Sequence, residues 1–507
     1  METAAMLATI AVYLAAMLGI GVWCSRRNQT ADDFYLGGRK LGPFVTAMSA
    51  EASDMSSWLL MGLPGLAYLT GIADAGWTAI GLAIGTYVNW LIVARRIRRY
   101  SARLHAITLP DFFSKRYGDR RGVLSGIAAL IIIVFFIPYT ASGFAACGKL
   151  FASLFQVDYL TAMVISAVVI VGYTALGGFL AASTTDLVQS IVMSFALIVV
   201  LGFGVTVAGG LDAVMDNARA LPGYLSMVQT HDPVSGTAAP YGALNIASML
   251  AWGLGYFGMP HILLRFMAIE HEEKLKLSRR VASVWVVISL AVAICIGVVG
   301  YGMTQAGAVG ALAGSDSETI IVRIADLLGQ QGVLAAVGAG LILAGILAAT
   351  MSTADSQLLA ASSSVSQNIL QDVLGVKLSP KATVAAARVT VVVISAIAAF
   401  IARDPSSSVF EIVSFAWAGF GATFGPVTLM ALFWKRSNRA GALAGMVAGG
   451  AMVFVWKFLL RPLGGLWAIY ELLPAFLLAV AVNVAVSLAT KAPEQEILDA
   501  FEDARVK

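Results

Sequence analysis

The sequence predicts an all-α polytopic membrane protein of about 13 transmembrane helices, with a five-plus-five inverted-repeat core, two broken helices, an external N-terminus and a cytoplasmic C-terminus. Three observations carry this reading: apolar runs of membrane length, a lopsided distribution of Lys and Arg, and two apolar runs interrupted by Gly, Pro or acids.

The 507 residues are 59% hydrophobic and 12% charged, with a mean hydropathy of +0.83. A soluble chain carries about twice that share of charge. The apolar residues fall in runs of about 20, the length a helix needs to cross the hydrocarbon core. These runs place spans at 5–24, 43–69, 73–94, 122–148, 157–178, 187–209, 243–268, 281–302, 333–362, 385–402, 408–434, 440–460 and 466–490. No basic residue precedes the first run, and Arg26 and Arg27 follow it, so it reads as a retained span rather than a leader.

With the N-terminus outside, 27 of the 33 Lys and Arg fall on cytoplasmic segments, among them Arg26, Arg27, Arg95, Arg96, Arg116, Arg265, Lys276, Arg280 and Lys507. That asymmetry is the positive-inside signature of an odd number of spans. No stretch is left for a soluble domain. The chain reads as one transporter membrane domain over 1–507: an extra first helix and loop (1–42), a first repeat (43–209), a second repeat (243–434), two additional helices (440–490) and a cytoplasmic tail (491–507).

The second run holds Ser49-Ala-Glu-Ala-Ser-Asp-Met-Ser-Ser57, a polar cluster with two acids, and the seventh reads Trp252-Gly-Leu-Gly-Tyr-Phe-Gly-Met-Pro260. Gly and Pro weaken a helix, and unpaired backbone at membrane depth survives only where it is buried in protein or lines a cavity. Paired broken helices in two halves point to a midplane binding site. Five helices from the second to the sixth span, and five from the seventh to the eleventh, would set the halves in opposite orientation.

Ionisable groups inside spans are costly and need a reason. Asp54 either pairs with a base or caps a half-helix, or it attracts a cation. Glu51 lies one turn earlier: either it shares a face and a proton with Asp54, or it points away toward Arg or backbone partners. In Ala348-Ala-Thr-Met-Ser-Thr-Ala-Asp-Ser-Gln357 the Ala349 carbonyl precedes Ser352 and Thr353 by one turn, grouping neutral oxygens that suit a hard monovalent cation. Such hydroxyls also bond their own helix or a neighbouring one. Asp186 opens the sixth run as an N-cap or serves a cation pathway. Trp252, Tyr256 and Pro260 recur every four residues, as one face of a helix would. Gly441, Gly445 and Gly449 suggest close helix packing. Cys24, Cys147 and Cys295 lie apart and read as packing residues. The four His (105, 231, 261, 271) sit near loops or span ends and form no metal or nucleophile constellation, so nothing points to an enzyme.

At Asp33-Phe-Tyr-Leu-Gly-Gly-Arg-Lys-Leu-Gly-Pro-Phe-Val45, Ala52-Ser-Asp-Met-Ser56, Trp58 to Gly65, Trp252 to Gly258 and Ala416-Trp-Ala-Gly-Phe-Gly421, the chain resembles the sodium:solute symporter family, especially its bacterial proline-carrying branch. Arg436 with Gly441, Ala442 and Gly445 fits the family's second signature. The resemblance implies a multi-pass protein of the bacterial inner (plasma) membrane that couples L-proline entry to Na+. It implies sodium ligands at the carbonyls of Ala52, Met55 and Ala349 and the hydroxyls of Ser352 and Thr353, with Asp54 and Asp186 in ion coupling; Glu51 joins them in ion coupling only through its spacing to Asp54. Substrate contacts would come from Ser56, Ser57, Trp58, Tyr139, Trp252, Tyr256 and Pro260. Glu51, Ser57 and Met259 depart from the pattern, which has a small or amide residue, a glycine and a glutamine there. Another amino acid, a vitamin or an organic acid is the alternative cargo. A solute sensor would carry a long signalling domain, for which the tail has no room.

Overall fold

The computed structural model describes residues 1–25 and 31–505 and is mostly helical. Arg26, Arg27 and Lys507 lie outside the described residues. Among the described residues, ten helices are long and apolar enough to cross a membrane, from Glu2–Cys24 to Leu472–Ala489. Ala243–Phe257 and Pro260–Ala268 form a further span bent by 45°, and Tyr159–Gly172 is a shorter apolar helix. Polar caps mark helix starts: Ser379 accepts the Ala382 N–H ahead of Pro380, Ser408 the Glu411 N–H, and Asn438 the Gly441 N–H. Each cap gives a backbone donor a partner at a helix end, where no preceding turn supplies one.

One feature departs from the all-α expectation. Between the two halves, Gln229–Asp232 and Thr237–Pro240 form an antiparallel hairpin, with Asp232 opposite Thr237. Asp232 holds its turn by accepting the Val234 N–H and the Ser235 hydroxyl. This segment packs back on the first half through Trp77, whose indole donates to the Met227 carbonyl at 2.7 Å.

The first broken helix runs Pro43–Ser57, turns at Ser56 (φ 50, ψ −171), and continues through Trp58–Gly62 to Leu63–Thr70. The second comprises Ala243–Leu250, a tighter three-residue-per-turn stretch Ala251–Phe257, and Pro260–Ala268. A helix with three residues per turn does not align positions four apart. Trp252, Tyr256 and Pro260 therefore do not share one face, and Pro260 opens the next, bent piece.

Glycine makes this geometry possible. A side chain at Gly253 would collide with the Gly81 backbone, and one at Gly85 with the Gly253 backbone. The Ile72–Val88 helix and the second broken helix thus meet backbone to backbone. In the same way a Cβ at Gly441 would strike Ser487 and Asn483, so the expected close packing joins the Arg439–Val455 and Leu472–Ala489 helices. A second correction concerns the sixth run. Tyr159–Val207 is continuous apart from a turn at Gly178 (φ 65), and the span after it is Gly178–Val207. Asp186 lies two turns inside that span and caps nothing.

Gly253→Val and Gly85→Val should each destabilise the protein by about 1–3 kcal/mol, the usual cost of overpacking. Gly202→Ala, with nothing within 4 Å of the new carbon, should leave thermal unfolding of the purified protein unchanged.

Candidate functional site

The break at Ser56 sits where four structural elements meet. A non-glycine residue at positive φ costs about 1–3 kcal/mol and needs surrounding contacts to hold it. Ser56 helps itself: its Oγ accepts the Trp58 N–H at 3.1 Å, and the Met55 carbonyl is turned to the same N–H. From the neighbouring Val123–Phe155 helix, the Tyr139 hydroxyl donates to the Asp54 carbonyl at 3.0 Å.

The serine-rich helix, Val333–Ser363, approaches from the other side. Ser352 Oγ lies 2.9 Å from the Ala52 carbonyl and 3.1 Å from the Ala349 carbonyl, and Thr353 Oγ1 lies 3.1 Å from the latter. Four of the five expected sodium ligands are thus tied through two hydroxyls, while Met55 stands at the break. The donor set is oxygen only and uncharged, which suits a hard monovalent cation. Ser352 also joins its own helix to the neighbouring one, as its sequence context allowed.

Among the described residues, Asp54 does not pair with a base. Its Oδ2 accepts the Tyr256 hydroxyl at 2.7 Å, and its Oδ1 is buried without a partner among the described residues. Glu51 turns away from it toward the Ile72–Arg103 span, where Oε1 accepts Trp90 Nε1 at 2.8 Å and the Thr86 hydroxyl at 3.1 Å. One reading expected Arg or backbone partners; the partners are instead the Trp90 and Thr86 side chains.

Next to Asp54 the rings gather. Trp58 stacks on Trp252 at 5.4 Å between centroids, and Phe410 lies 5.9 Å from Trp58 and 5.6 Å from Trp252. Tyr470 stacks on the Trp252 ring at 5.0 Å, and Trp417 meets Tyr256 edge-on while donating to the Trp252 carbonyl. The cavity among Asp54, Met55, Trp58, Tyr139, Trp252 and Trp417 measures about 10 Å³, the size of a single water site. Across Tyr139, Ser56, Ser57, Thr140, Thr353 and Gln357 line a second, equally tight space. Neither admits a solute until the walls part. Pro260 is buried at the start of its helix piece, and Met259 is buried in the bend before it.

Asp186 belongs to a separate polar centre. Its Oδ2 accepts the Ser49 hydroxyl at 2.6 Å and Arg265 at 3.2 Å. Arg265 also donates to Ser49 Oγ, Ser356 Oγ and the His261 carbonyl. Asp355, hydrogen-bonded to Ser356, adds a second buried carboxylate. Arg265, read from the sequence only as a topology signal, is 1% exposed and enters this cluster. Arg116 is also 1% exposed, donating to the Ala431 carbonyl with the rings of Tyr117 and of Phe501 in the C-terminal tail against its guanidinium. One expectation is corrected: His261 lies in the bundle interior, against Phe136, and not near a loop or span end.

Residues 34–449 match the sodium:solute symporter family. The chain belongs to that family. A sodium/proline symporter of Haemophilus influenzae is 43% identical, over 98% of this chain and 97% of its own length. The osmoregulated proline transporter of Bacillus subtilis is 40% identical, over 96% and 95%. Among solved structures, a substrate-bound, outward-open Na+-coupled sialic acid symporter matches with a TM-score of 0.78 at 18% identity, covering 97% of this chain and 99% of that one. At that identity the likeness is one of fold. As a member of this symporter family the chain is a sodium-coupled membrane transporter and not an enzyme.

Sequence reading missed Arg265, Asp355, Phe410 and Tyr470. An arginine inside His261-Ile-Leu-Leu-Arg-Phe-Met-Ala268 was itself a signal, because an unpaired charge does not persist in an apolar helix. Asp355 stood in the motif already quoted. Phe410 and Tyr470 carry no local signal, since only the packing brings them to Trp252.

Removing one member of a buried ion pair leaves the other uncompensated, at about 3–5 kcal/mol. Arg265→Gln should therefore melt markedly earlier than the parent. Arg265→Lys should recover only part of the loss, because an ammonium cannot reproduce the guanidinium's fork of donors. Parental melting of Arg265→Gln would show that the pair does not hold the fold.

Proposed function

We propose that this symporter carries L-proline into the bacterial cell together with Na+, by alternating access at the break in the Pro43–Ser57 helix. The observation that carries this reading is the Ser352 hydroxyl, which joins the Ala52 carbonyl beside the break to the Ala349 carbonyl of the facing helix. The near-full-length likeness to the sodium/proline symporter supports the cargo.

Ala52, Met55, Ala349, Ser352 and Thr353 would surround the ion with neutral oxygens, and Asp54 and Asp186 would draw it along its path. Glu51, anchored on Thr86 and Trp90, sets the direction of the half-helix rather than touching the ion. The half-helix beyond Ser56 presents backbone N–H groups to the substrate carboxylate. Ser56 and Ser57 add hydroxyls, and Trp58, Tyr139, Trp252, Tyr256 and Pro260 wall the apolar ring. Each sodium falling through about 100 mV contributes about 2.3 kcal/mol, and a tenfold gradient about 1.4 kcal/mol more. That sum sustains a proline gradient of several hundredfold.

Thirteen spans, with the N-terminus outside and the C-terminus cytoplasmic, complete the reading. Ten continuous helices, the bent pair, the short Tyr159–Gly172 helix and the broken 43–70 segment support that number. Spans two to six (43–209) and seven to eleven (243–434) form the inverted repeats, each led by its broken helix. The first helix with its loop (1–42), the last two spans (440–490) and the tail (491–507) lie outside them.

Counterflow in proteoliposomes against a panel of labelled solutes tests the cargo: proline should exchange fastest, and only with sodium present. Sodium-dependent exchange of a different solute would replace proline but keep the coupling. Ser352→Ala or Thr353→Ala should raise the sodium concentration for half-maximal uptake by about tenfold, a loss of ~1.4 kcal/mol, at unchanged protein abundance. Asp54→Asn should nearly abolish uptake at low sodium; parental transport at every sodium concentration would leave Asp54 as a structural partner of Tyr256.

A further inference from the structure

An apolar groove lies away from the symport site, on the exposed apolar side where the Gly178–Val207 span meets the Leu275–Gln305 helix. It measures about 560 Å³. Its walls are Leu197 and Ile198 on one side and Val281, Val284, Ile288 and Val292 on the other. Trp285 closes one edge by donating to Ser194 Oγ at 2.8 Å across the two helices. Met48, 8% exposed, forms part of the floor.

The wall residues 280, 284, 288 and 292 recur every four positions, so the groove runs along one helix face. From Arg280 to Val292 it extends about 18 Å at 1.5 Å per residue, close to the depth of one leaflet, half of about 30 Å. One end is basic. Arg280 lines the groove, and Lys276 lies one turn before it on the same face. Both are exposed, and neither has a carboxylate partner among the described residues. Of the acids nearby, Glu270 pairs with Lys274 and Glu272 with Arg95 and Arg99, while Glu273, one turn before Lys276, is exposed and has no ion pair among the described residues. Arg279 is turned onto the Tyr87 ring.

We propose that this groove is a binding site for an anionic glycerophospholipid, with one acyl chain along the apolar walls and the phosphodiester between Lys276 and Arg280. The apolar length matches a leaflet, which any lipid satisfies. The two unpaired cations at one end select for negative charge, as basic pockets beside membrane helices do. The occupant would touch Met48, one turn before Ala52 on the half-helix that leads to the break. Lipid in the groove therefore contacts the element on which the symport site is built. The arrangement holds whichever way the chain is inserted, because the basic end lies at a membrane surface in either orientation.

The test uses the full chain in phosphatidylcholine nanodiscs, titrated with phosphatidylglycerol or phosphatidylcholine brominated on the acyl chain. Bromine quenches tryptophan on contact, and the Trp285→Phe variant isolates the Trp285 contribution. Half-quenching of Trp285 should need about tenfold less of the anionic lipid, and Lys276→Gln/Arg280→Gln should remove that preference. Native mass spectrometry of the parent and the double variant gives a second readout that leaves Trp285 in place, and the parent alone should retain phosphatidylglycerol selectively. Equal quenching by the two headgroups would reduce the groove to ordinary boundary lipid and overturn the proposal. So would a preference that survives in the double variant.

Discussion

Every unpaired backbone group at membrane depth must find a partner, and the break at Ser56 is where this chain meets that demand most sharply. Turning the backbone there frees carbonyls at the end of one half-helix and N–H groups at the start of the next. The protein answers with side chains: Ser352 reaches the Ala52 carbonyl, Tyr139 the Asp54 carbonyl, and Ser56 the Trp58 N–H. Two of these partners come from the Val123–Phe155 and Val333–Ser363 helices, so the break is held by tertiary packing as well as by its own Ser56. The oxygens that stabilise the turn include ones proposed to receive sodium. On that proposal, structural need and ion binding draw on one set of atoms.

The second broken helix solves the same problem by another route. Its middle piece follows a tighter path and lies so close to the Ile72–Val88 helix that only hydrogen fits at Gly85 and Gly253. That close approach brings Trp252 and Tyr256 to the first break. Tyr256 then binds Asp54, and Trp252 stacks on Trp58. A backbone contact made of glycines thus positions the aromatic wall beside the acid. The two broken helices are coupled through hydrogen bonds and ring stacking, and neither can shift without disturbing the other.

Arg265 links the second broken helix to Ser49, Asp186 and Ser356 on three other segments. One guanidinium faces two buried carboxylates there, and Asp186 Oδ1 and Asp355 Oδ2 are left without protein partners among the described residues. The cluster lies on the far side of the Pro43–Ser57 helix from Glu51, which is anchored on Trp90 and Thr86. Ser49, Glu51 and Asp54 thus address three different partners within two turns. That divergence is why one acid cannot be inferred to act on its neighbour from spacing alone.

The membrane class, most of the long apolar helices and both interrupted segments were legible in the sequence, because hydrocarbon thickness and backbone pairing act on local runs of residues. The run from Ala349 to Thr353 was legible as well, since its oxygens gather within a single helical turn. Tertiary structure alone decided the partners. It turned Glu51 toward Trp90, placed Asp186 two turns inside a span instead of at its cap, and drew Arg265 inward from an expected place at the surface. It also converted the Trp252, Tyr256 and Pro260 repeat from one helical face into two pieces at an angle, and added Phe410 and Tyr470 to the wall. Periodicity reports which side of an element is apolar, whereas the direction of a buried charge depends on the partner it meets. Those partners lie far apart in the chain, 216 residues for Ser49 and Arg265, and no local pattern records them.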